Sequence, residues 1–233
     1  MKIHSNKFIC AAVFLALGFN ALAVTIYDDA ANYNTNQLQV ANGLEIGNQI
    51  SIAPNIWVLT NFSFEYFSSN ATLNASLGVD VRFYRNNGPL TNGFATPGSL
   101  IFDSGWFYNN VGGIPGGGAH TINYNVADIN GNGTPVPLTI ALPGTFTFTI
   151  TFDNLGTNIV SLPLANNQAG ISFGDYWLYN TLSSQWSLMT NANTPANFVV
   201  DFSGFGVPEP SVMGLSAVGG LLFLGASKWK RKR

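Results

Sequence analysis

Apolar and polar residues alternate along much of the chain. From Thr145 to Phe152 every second residue is apolar and each of the others is threonine. The same period of two occurs at 62–66, 79–83 and 198–202. A period of two places one row of side chains on each face of a β-strand. These segments therefore predict strands with one face on a core and the other, here the threonine row, facing solvent or a neighbouring element.

Shorter apolar runs predict further strands, and segments rich in Gly, Pro and Asn separate them. Such breaks lie at 86–89, 112–118 and 130–133, and no capped period of 3.6 residues indicates a helix between them. The remaining strand candidates are 44–52, 56–60, 99–107, 119–126, 136–142, 169–173, 176–179 and 185–190. Many short strands joined by such turns predict an all-β fold, a single antiparallel β-sandwich, jelly-roll-like, over residues 24–206.

Charge is scarce and unevenly placed in this chain of 233 residues. Only 9% of residues are charged, against roughly 25% in an average globular protein. Between Val24 and Gly206 the only basic residues are Arg82 and Arg85, against ten acidic ones, so the formal charge of this segment is −8. Binding to nucleic acid requires clustered cations. Nucleic acid is therefore excluded as a partner.

Cysteine and histidine, two common catalytic residues, are almost absent from the same segment. The single cysteine, Cys10, precedes it, so thiol catalysis, disulfides and cysteine-ligated metals are not expected. His120 is its one histidine, too few for a two-histidine metal site, and we interpret it as a surface or strand-edge residue rather than the base of a Ser-His-Asp triad. Nothing in the sequence pairs two carboxylates as glycoside hydrolysis requires. We predict a protein that is not an enzyme and has no cofactor or metal.

Residues 128–133 match the first half of a calcium loop, in which oxygen ligands alternate along the chain before a glycine. Such a loop ends with a bidentate glutamate six residues after that glycine. Thr139 occupies this position, and Asp128 supplies the only charge among the expected ligands. We interpret the segment as a turn, and weak calcium binding stays open.

Aromatic residues are the better candidates for ligand binding. Pyranose rings stack on indole and phenol faces, while neighbouring Asn, Asp or Gln side chains bind sugar hydroxyls. Trp106, Trp177 and Trp186 lie near predicted turns and are the candidate glycan-stacking residues. The competing interpretation is that they pack in the core or at a sheet edge, because a sandwich of this size needs large apolar side chains. The other available aromatic residues are Trp57, Tyr108 and Tyr179.

The N-terminus has the three parts of a secretory signal peptide. Lys2 and Lys7 supply positive charge, 8–17 is apolar, and Ala21 and Ala23 form a small-x-small cleavage site. We therefore predict a signal peptide over residues 1–23, removed by signal peptidase.

The C-terminus carries an apolar segment followed by a basic one. Residues 212–226 contain no charge, and five of the six residues 228–233 are basic. A helix of that apolar length spans ~22 Å, which is short for a hydrocarbon core of ~30 Å. We predict a transmembrane helix at 212–227 that is a marginal permanent anchor. The basic tail at 228–233 would stay cytoplasmic and leave residues 24–206 across the inner membrane.

The sequence Val-Pro-Glu-Pro at 207–210 directly precedes this helix. Motif, apolar helix and basic tail together resemble the PEP-CTERM sorting signal of Gram-negative bacteria, over residues 207–233 only. The resemblance implies that an exosortase, a membrane transpeptidase-like enzyme, recognises Pro208, Glu209 and Pro210 and cleaves nearby. It also implies a bacterium that makes exopolysaccharide, since PEP-CTERM proteins usually occur in such organisms.

Four further segments, 42–47, 62–67, 81–84 and 103–107, are similar to uncharacterised ectodomains of other PEP-CTERM proteins, especially from planctomycete- and verrucomicrobia-like bacteria. This resemblance implies secretion and a sandwich fold but no reaction. We therefore expect a secreted, transiently membrane-anchored protein that reaches the cell surface or extracellular matrix and associates with exopolysaccharide. The alternative is a carbohydrate-binding module of jelly-roll type.

Overall fold

The computed structural model describes residues 24–28, 33–52, 57–108, 114–125, 140–165, 171–172, 174–181, 183–190 and 196–206. The predicted signal peptide with Ala21 and Ala23, the loop at 128–133 and the C-terminal segment with Pro208, Glu209 and Pro210 lie outside these residues. Within the part that is described, no helix has the length and apolar character needed to cross a membrane.

Every regular element that the structure describes is a β-strand, and every described strand pair is antiparallel, which confirms the all-β, antiparallel prediction. Sheet A contains β1 (Val24–Asp28), β2 (Tyr33–Gln39), β4 (Trp57–Ser68), β10 (Gly118–Asn125), β11 (Ile140–Leu142), β13 (Val160–Ala165), β17 (Asn197–Phe198) and β18 (Val200–Gly206). Sheet B contains β3 (Glu45–Ser51), β5 (Gly78–Arg85), β8 (Leu100–Asp103), β9 (Phe107–Tyr108), β12 (Thr145–Asp153), β14 (Ile171–Ser172), β15 (Asp175–Asn180) and β16 (Gln185–Thr190). A separate small hairpin contains β6 (Leu90–Thr91) and β7 (Phe94–Ala95).

The two large sheets are each organised around a long strand. In sheet A, β4 pairs with β18 along one edge and with β10 and β11 along the other. In sheet B the order is β16-β15-β3-β12-β5-β8, with β9 continuing along β5 beyond β8. The alternating segment of β12 is thus paired on both sides, with β3 and with β5.

The apolar rows of the two sheets meet in one core of packed aromatic rings. Phe62 of β4 lies 5.2 Å from Phe83 of β5, and Phe202 of β18 lies 5.5 Å from Phe148 of β12, measured between ring centroids. All four side chains are buried. Burying such a side chain contributes about 1.5–3 kcal/mol, so these contacts between sheets hold the two layers face to face, as in a β-sandwich.

A single buried amide also connects the two layers. Asn48 lies on β3 between Ile46 and Ile50 and is 1% exposed. Its Nδ2 donates to the carbonyl oxygens of Ala196 at 2.6 Å and Asp175 at 3.2 Å, and its Oδ1 accepts from the Phe198 amide at 2.8 Å. Asn48 therefore fixes the start of β17, a strand of sheet A, onto sheet B.

Candidate functional site

The outer face of sheet B, which is turned away from the core, carries a group of charged side chains. On β5, Val79, Val81 and Phe83 are buried in the core, so the alternation of a strand directs Asp80, Arg82 and Tyr84 to the opposite face. Strand register places Glu45 of β3 and Thr147, Thr149 and Thr151 of β12 on that same face.

Arg82 gathers three carboxylates around one guanidinium, and we call these four residues the Arg82 cluster. Its Nη1 lies 3.2 Å from Glu45 Oε2, its Nη2 2.7 Å from Asp80 Oδ2 and its Nε 2.9 Å from Asp103 Oδ2. Thr149 donates its hydroxyl hydrogen to the remaining oxygen of Glu45. With three acids and one base, the formal charge of the cluster is −2 when all four are ionised.

The Asp80 carboxyl is buried beside both an opposite and a like charge. Burial raises the pKa of its carboxyl, Arg82 lowers it, and the neighbouring Asp103 carboxylate raises it again, so that the pKa of Asp80 is about 6. Its Oδ1 accepts a hydrogen bond from Ser104 at 3.0 Å, while Oδ2 has the Arg82 ion pair but no well-aligned hydrogen bond. The pKa of Asp103 moves the other way: burial acts to raise it, but the Gly105 amide and Arg82 outweigh burial and hold it below its usual value.

The raised pKa of Asp80 predicts a pH dependence of stability. An unfolded aspartate ionises near pH 4, whereas folded Asp80 retains its proton up to about pH 6. The stability contributed by the protonated form is therefore complete below pH 4 and is lost as the pH rises to 6. We expect the free energy of unfolding of Asp80→Asn, relative to the wild type, to rise by about 2 kcal/mol over this interval. Urea titrations at a series of pH values measure it, and parallel pH profiles of the two proteins would contradict a raised pKa for Asp80.

Aromatic rings close over the outer face from both sides. Tyr84 of β5 lies 5.6 Å from Trp186 of β16, which lies 4.9 Å from Tyr179, between ring centroids. β15, β3 and β12 separate β5 from β16, so a flat sheet would hold these two strands about 19 Å apart. The face must therefore be concave, with the rings leaning toward each other across it.

This curvature buries both the threonine row of β12 and Trp177. Thr147 and Thr149 are fully buried although they face away from the main core, so the threonine row faces a neighbour and not solvent. Trp177, on the same face by its pairing with Gly47, is 1% exposed. This corrects the candidate set, because a ring without accessible surface cannot stack on a sugar.

Of the other two candidates, Trp186 is half-buried between Tyr84 and Tyr179, whereas Trp106 is 38% exposed. Tyr108, two residues farther on, is also 38% exposed. The rings of Trp106 and Tyr108 lie at 22° to each other with centroids 6.4 Å apart, a separation typical of an offset pair that leaves part of each ring face uncovered. We call these two residues the aromatic pair.

The local backbone places the aromatic pair next to the Arg82 cluster. Asp103 Oδ1 accepts from the Gly105 amide at 2.7 Å, and Gly105 has a φ of +67°, which turns the chain out of β8. Phe107 then packs on the core while its neighbours Trp106 and Tyr108 point outward. Gly78 of β5 makes room for them, since a Cβ there would lie 2.8 Å from the Tyr108 ring and 3.2 Å from the Trp106 ring.

A groove of about 410 Å³ lies among the loops at another part of the surface. Polar side chains line it, but several of them are already used to hold the loops. Asn42 Oδ1 accepts from the Leu155 amide at 2.9 Å, and Asn74 Oδ1 from the Ser76 amide at 3.3 Å. None of the described residues that line this groove is charged, and these two asparagine side chains already stabilise the loops. The lining residues are Asn42, Asn74, Ser76, Asn154 and Gly156.

His120 is held by contacts within the fold. His120 Nε2 lies 3.1 Å from the Gly116 carbonyl oxygen and its ring packs on Tyr66. Within the described ranges, no group of three or more His, Cys, Asp or Glu side chains is arranged to hold a metal ion. In the Arg82 cluster the three carboxylates instead form ion pairs with the Arg82 guanidinium, which lies between them.

Comparisons with known proteins give no relative for this chain. No family model matches it, and no curated protein matches it. Among solved structures, the structure of the infectious bursal disease virus Gx strain is similar at 13% sequence identity and a TM-score of 0.26, over 81% of this chain and 36% of the viral one. The match covers about a third of the viral chain's length, at a TM-score too low to show a shared fold.

Proposed function

We propose that this protein is secreted, sorted by an exosortase and retained at the cell surface or in the extracellular matrix of a Gram-negative bacterium, where it associates with exopolysaccharide and has no enzymatic activity. The observation that carries the proposal is the order of three parts at the C-terminus: the Pro-Glu-Pro motif at 208–210, the apolar segment and the basic tail. Each part alone is common, and the ordered set is not.

The chemistry of the described domain supports a binding or structural role. In its ionisable centre, the Arg82 cluster, each carboxylate is paired with the guanidinium, and its one histidine is engaged by a backbone carbonyl. We further infer that the two sheets form a jelly-roll-like sandwich, flanked by a signal-peptide helix at 1–23 and a membrane helix at 212–227. The helix at 212–227 would hold the chain in the inner membrane only until the exosortase acts.

Replacing the sorting motif tests the proposal. We expect alanine at Pro208, Glu209 and Pro210 together to leave the chain uncleaved in the inner membrane, because the enzyme would no longer recognise its substrate. The matched control is Ser211→Ala, the residue immediately after the motif, which should be processed normally. Cell fractionation with detection of the ectodomain measures both. Normal release of the triple variant would show that the motif has no sorting role.

A carbohydrate-binding module is the second candidate, and one observation favours it. Trp106 and Tyr108, three and five residues after Asp103, are each 38% exposed and pack ring against ring, and the Asp103 side chain is 37% exposed, which supplies both the apolar and the polar groups that a sugar needs. This function is compatible with exosortase sorting, since it would supply the contact between the sorted protein and the surrounding polysaccharide.

A further inference from the structure

We propose that the aromatic pair and the exposed edge of the Arg82 cluster form a binding site for an uncharged polysaccharide, which runs over the outer face of sheet B along β5. The inference deepens the proposed function and rests on it, because it names the site and the ligand class through which the sorted protein would contact its matrix.

The aromatic pair is partly exposed and is held in place by the backbone around it. Two large aromatic residues with 38% exposure each are costly to leave in water, and their positions are fixed from below by the bare backbone at Gly78. The turn at Gly105 fixes them from the side. A rigid pair of rings with uncovered faces suits a ligand that offers flat patches of C–H groups, as the faces of pyranose rings do.

Two hydrogen-bonding side chains of the Arg82 cluster also reach the surface. The Asp103 side chain is 37% exposed and the Arg82 side chain 28% exposed. A carboxylate can accept more than the one hydrogen bond that each Asp103 oxygen accepts within the protein. Sugar hydroxyls, which both donate and accept, can therefore pair with Asp103 while the ring faces stack on Trp106.

The outer face of β5 runs from the aromatic pair to a second aromatic position. Gly78, Asp80, Arg82 and Tyr84 follow one another on the outer face of β5, so the aromatic pair at one end and Tyr84 at the other are about 20 Å apart. Trp186 leans against Tyr84 at that second end. A polymer can extend from one aromatic position to the other, which a single sugar unit cannot.

The negative charge of the domain limits the ligands that this site can bind. The Arg82 cluster carries more acidic than basic groups, and the segment from Val24 to Gly206 has a formal charge of −8. A polyuronate or sulfated polymer would be repelled at the site. Anionic polymers are excluded on this ground, and the site is assigned to an uncharged polysaccharide, whose binding should depend little on salt.

Affinity electrophoresis of the full-length chain tests this site, in a nonionic detergent whose head group is not a sugar. The probes are hydroxyethyl cellulose, a soluble mannan and dextran, with alginate as the anionic counterpart. We expect retardation by at least one uncharged polymer and none by alginate. Trp106→Ala should weaken that binding at least about tenfold, and disaccharides of the same sugar should compete far less well than the polymer.

Two further variants keep the result interpretable. Phe94→Ala is the matched control, because Phe94 is 39% exposed but lies on the separate β6–β7 hairpin, and its binding should be unchanged. Gly78→Ala adds a methyl group under the Tyr108 ring and should weaken binding even if Trp106→Ala fails to fold.

The inference is overturned if no uncharged polymer binds, if alginate binds, if Phe94→Ala is as defective as Trp106→Ala, or if the aromatic pair instead mediates self-association in sedimentation. Exosortase processing of these variants should be normal, so failure of the site is distinguishable from failure of the sorting proposal.

Discussion

Arg82→Leu is expected to lower the free energy of unfolding by about 3–5 kcal/mol at pH 7.5, because it leaves buried carboxylates without their partner. Glu45 and Asp80 are 2% and 1% exposed, and both make ion pairs with this guanidinium. Arg82→Lys should recover only part of the loss, since an ammonium cannot reach three carboxylates with the geometry of a guanidinium. Urea denaturation followed by tryptophan fluorescence measures each variant.

The chain contains its own control for this experiment. Arg85 lies three residues farther along β5 but is exposed, so Arg85→Leu should change stability by no more than about 0.5 kcal/mol. Adding Asp80→Asn to Arg82→Leu should restore part of the stability, because it removes one of the unpaired charges. Equal stability of Arg82→Leu and Arg85→Leu would show that the cluster does not hold sheet B together.

Asn48→Ala is expected to cost about 3 kcal/mol, because it removes three hydrogen bonds in the interior and leaves the partner groups without a substitute. Those groups are the Phe198 amide and the carbonyl oxygens of Ala196 and Asp175. The same change should loosen β17, so amide hydrogen exchange at Phe198 should become faster by a larger factor than in the strands of sheet B.

Asn87→Ala is the matched control for Asn48→Ala. Asn87 also makes two side-chain hydrogen bonds, to the hydroxyl and the amide of Ser99, but it is exposed. Water can replace both partners there, so a loss of no more than about 1 kcal/mol is expected. If the two asparagine variants lose the same stability, burial of the Asn48 amide does not matter for the contact between the sheets.

The strands with the clearest alternation were predictable from the sequence. The segments at 145–152, 79–83, 62–66 and 198–202 fall within or across observed strands, because each has one row on the core. β13 and β2 were missed for opposite reasons. In β13, Pro163 breaks the sequence pattern of a strand, and the pairing with β2 shifts register directly after it. In β2 the sequence Tyr-Asn-Thr-Asn-Gln-Leu-Gln has almost no apolar row.

The predicted strand at 99–107 is observed as two strands, β8 and β9, for a local reason. The Asp103 side chain and the positive φ of Gly105 turn the chain between them. Asp-Ser-Gly is a turn signal that the sequence does contain, and it could have located the break. The break matters for the candidate site, because it lifts Trp106 and Tyr108 onto the outer face.

The candidate site was only partly predictable. Alternation alone places Asp80 and Arg82 on one face, since they are two residues apart. Glu45 and Asp103 are 37 and 21 residues from Arg82 in the sequence, and only the strand register brings them to it. The burial of Trp177 depends on the curvature of the whole sheet, which no local pattern of residues reveals.

The most direct test of the central claim is the intact mass of the protein recovered from the cell surface or the medium. Sorting by an exosortase predicts a chain that begins at Val24, after removal of residues 1–23, and ends close to Pro210, without the apolar segment and the basic tail. A mass that extends to Arg233, with the protein retained in the inner membrane, would contradict it.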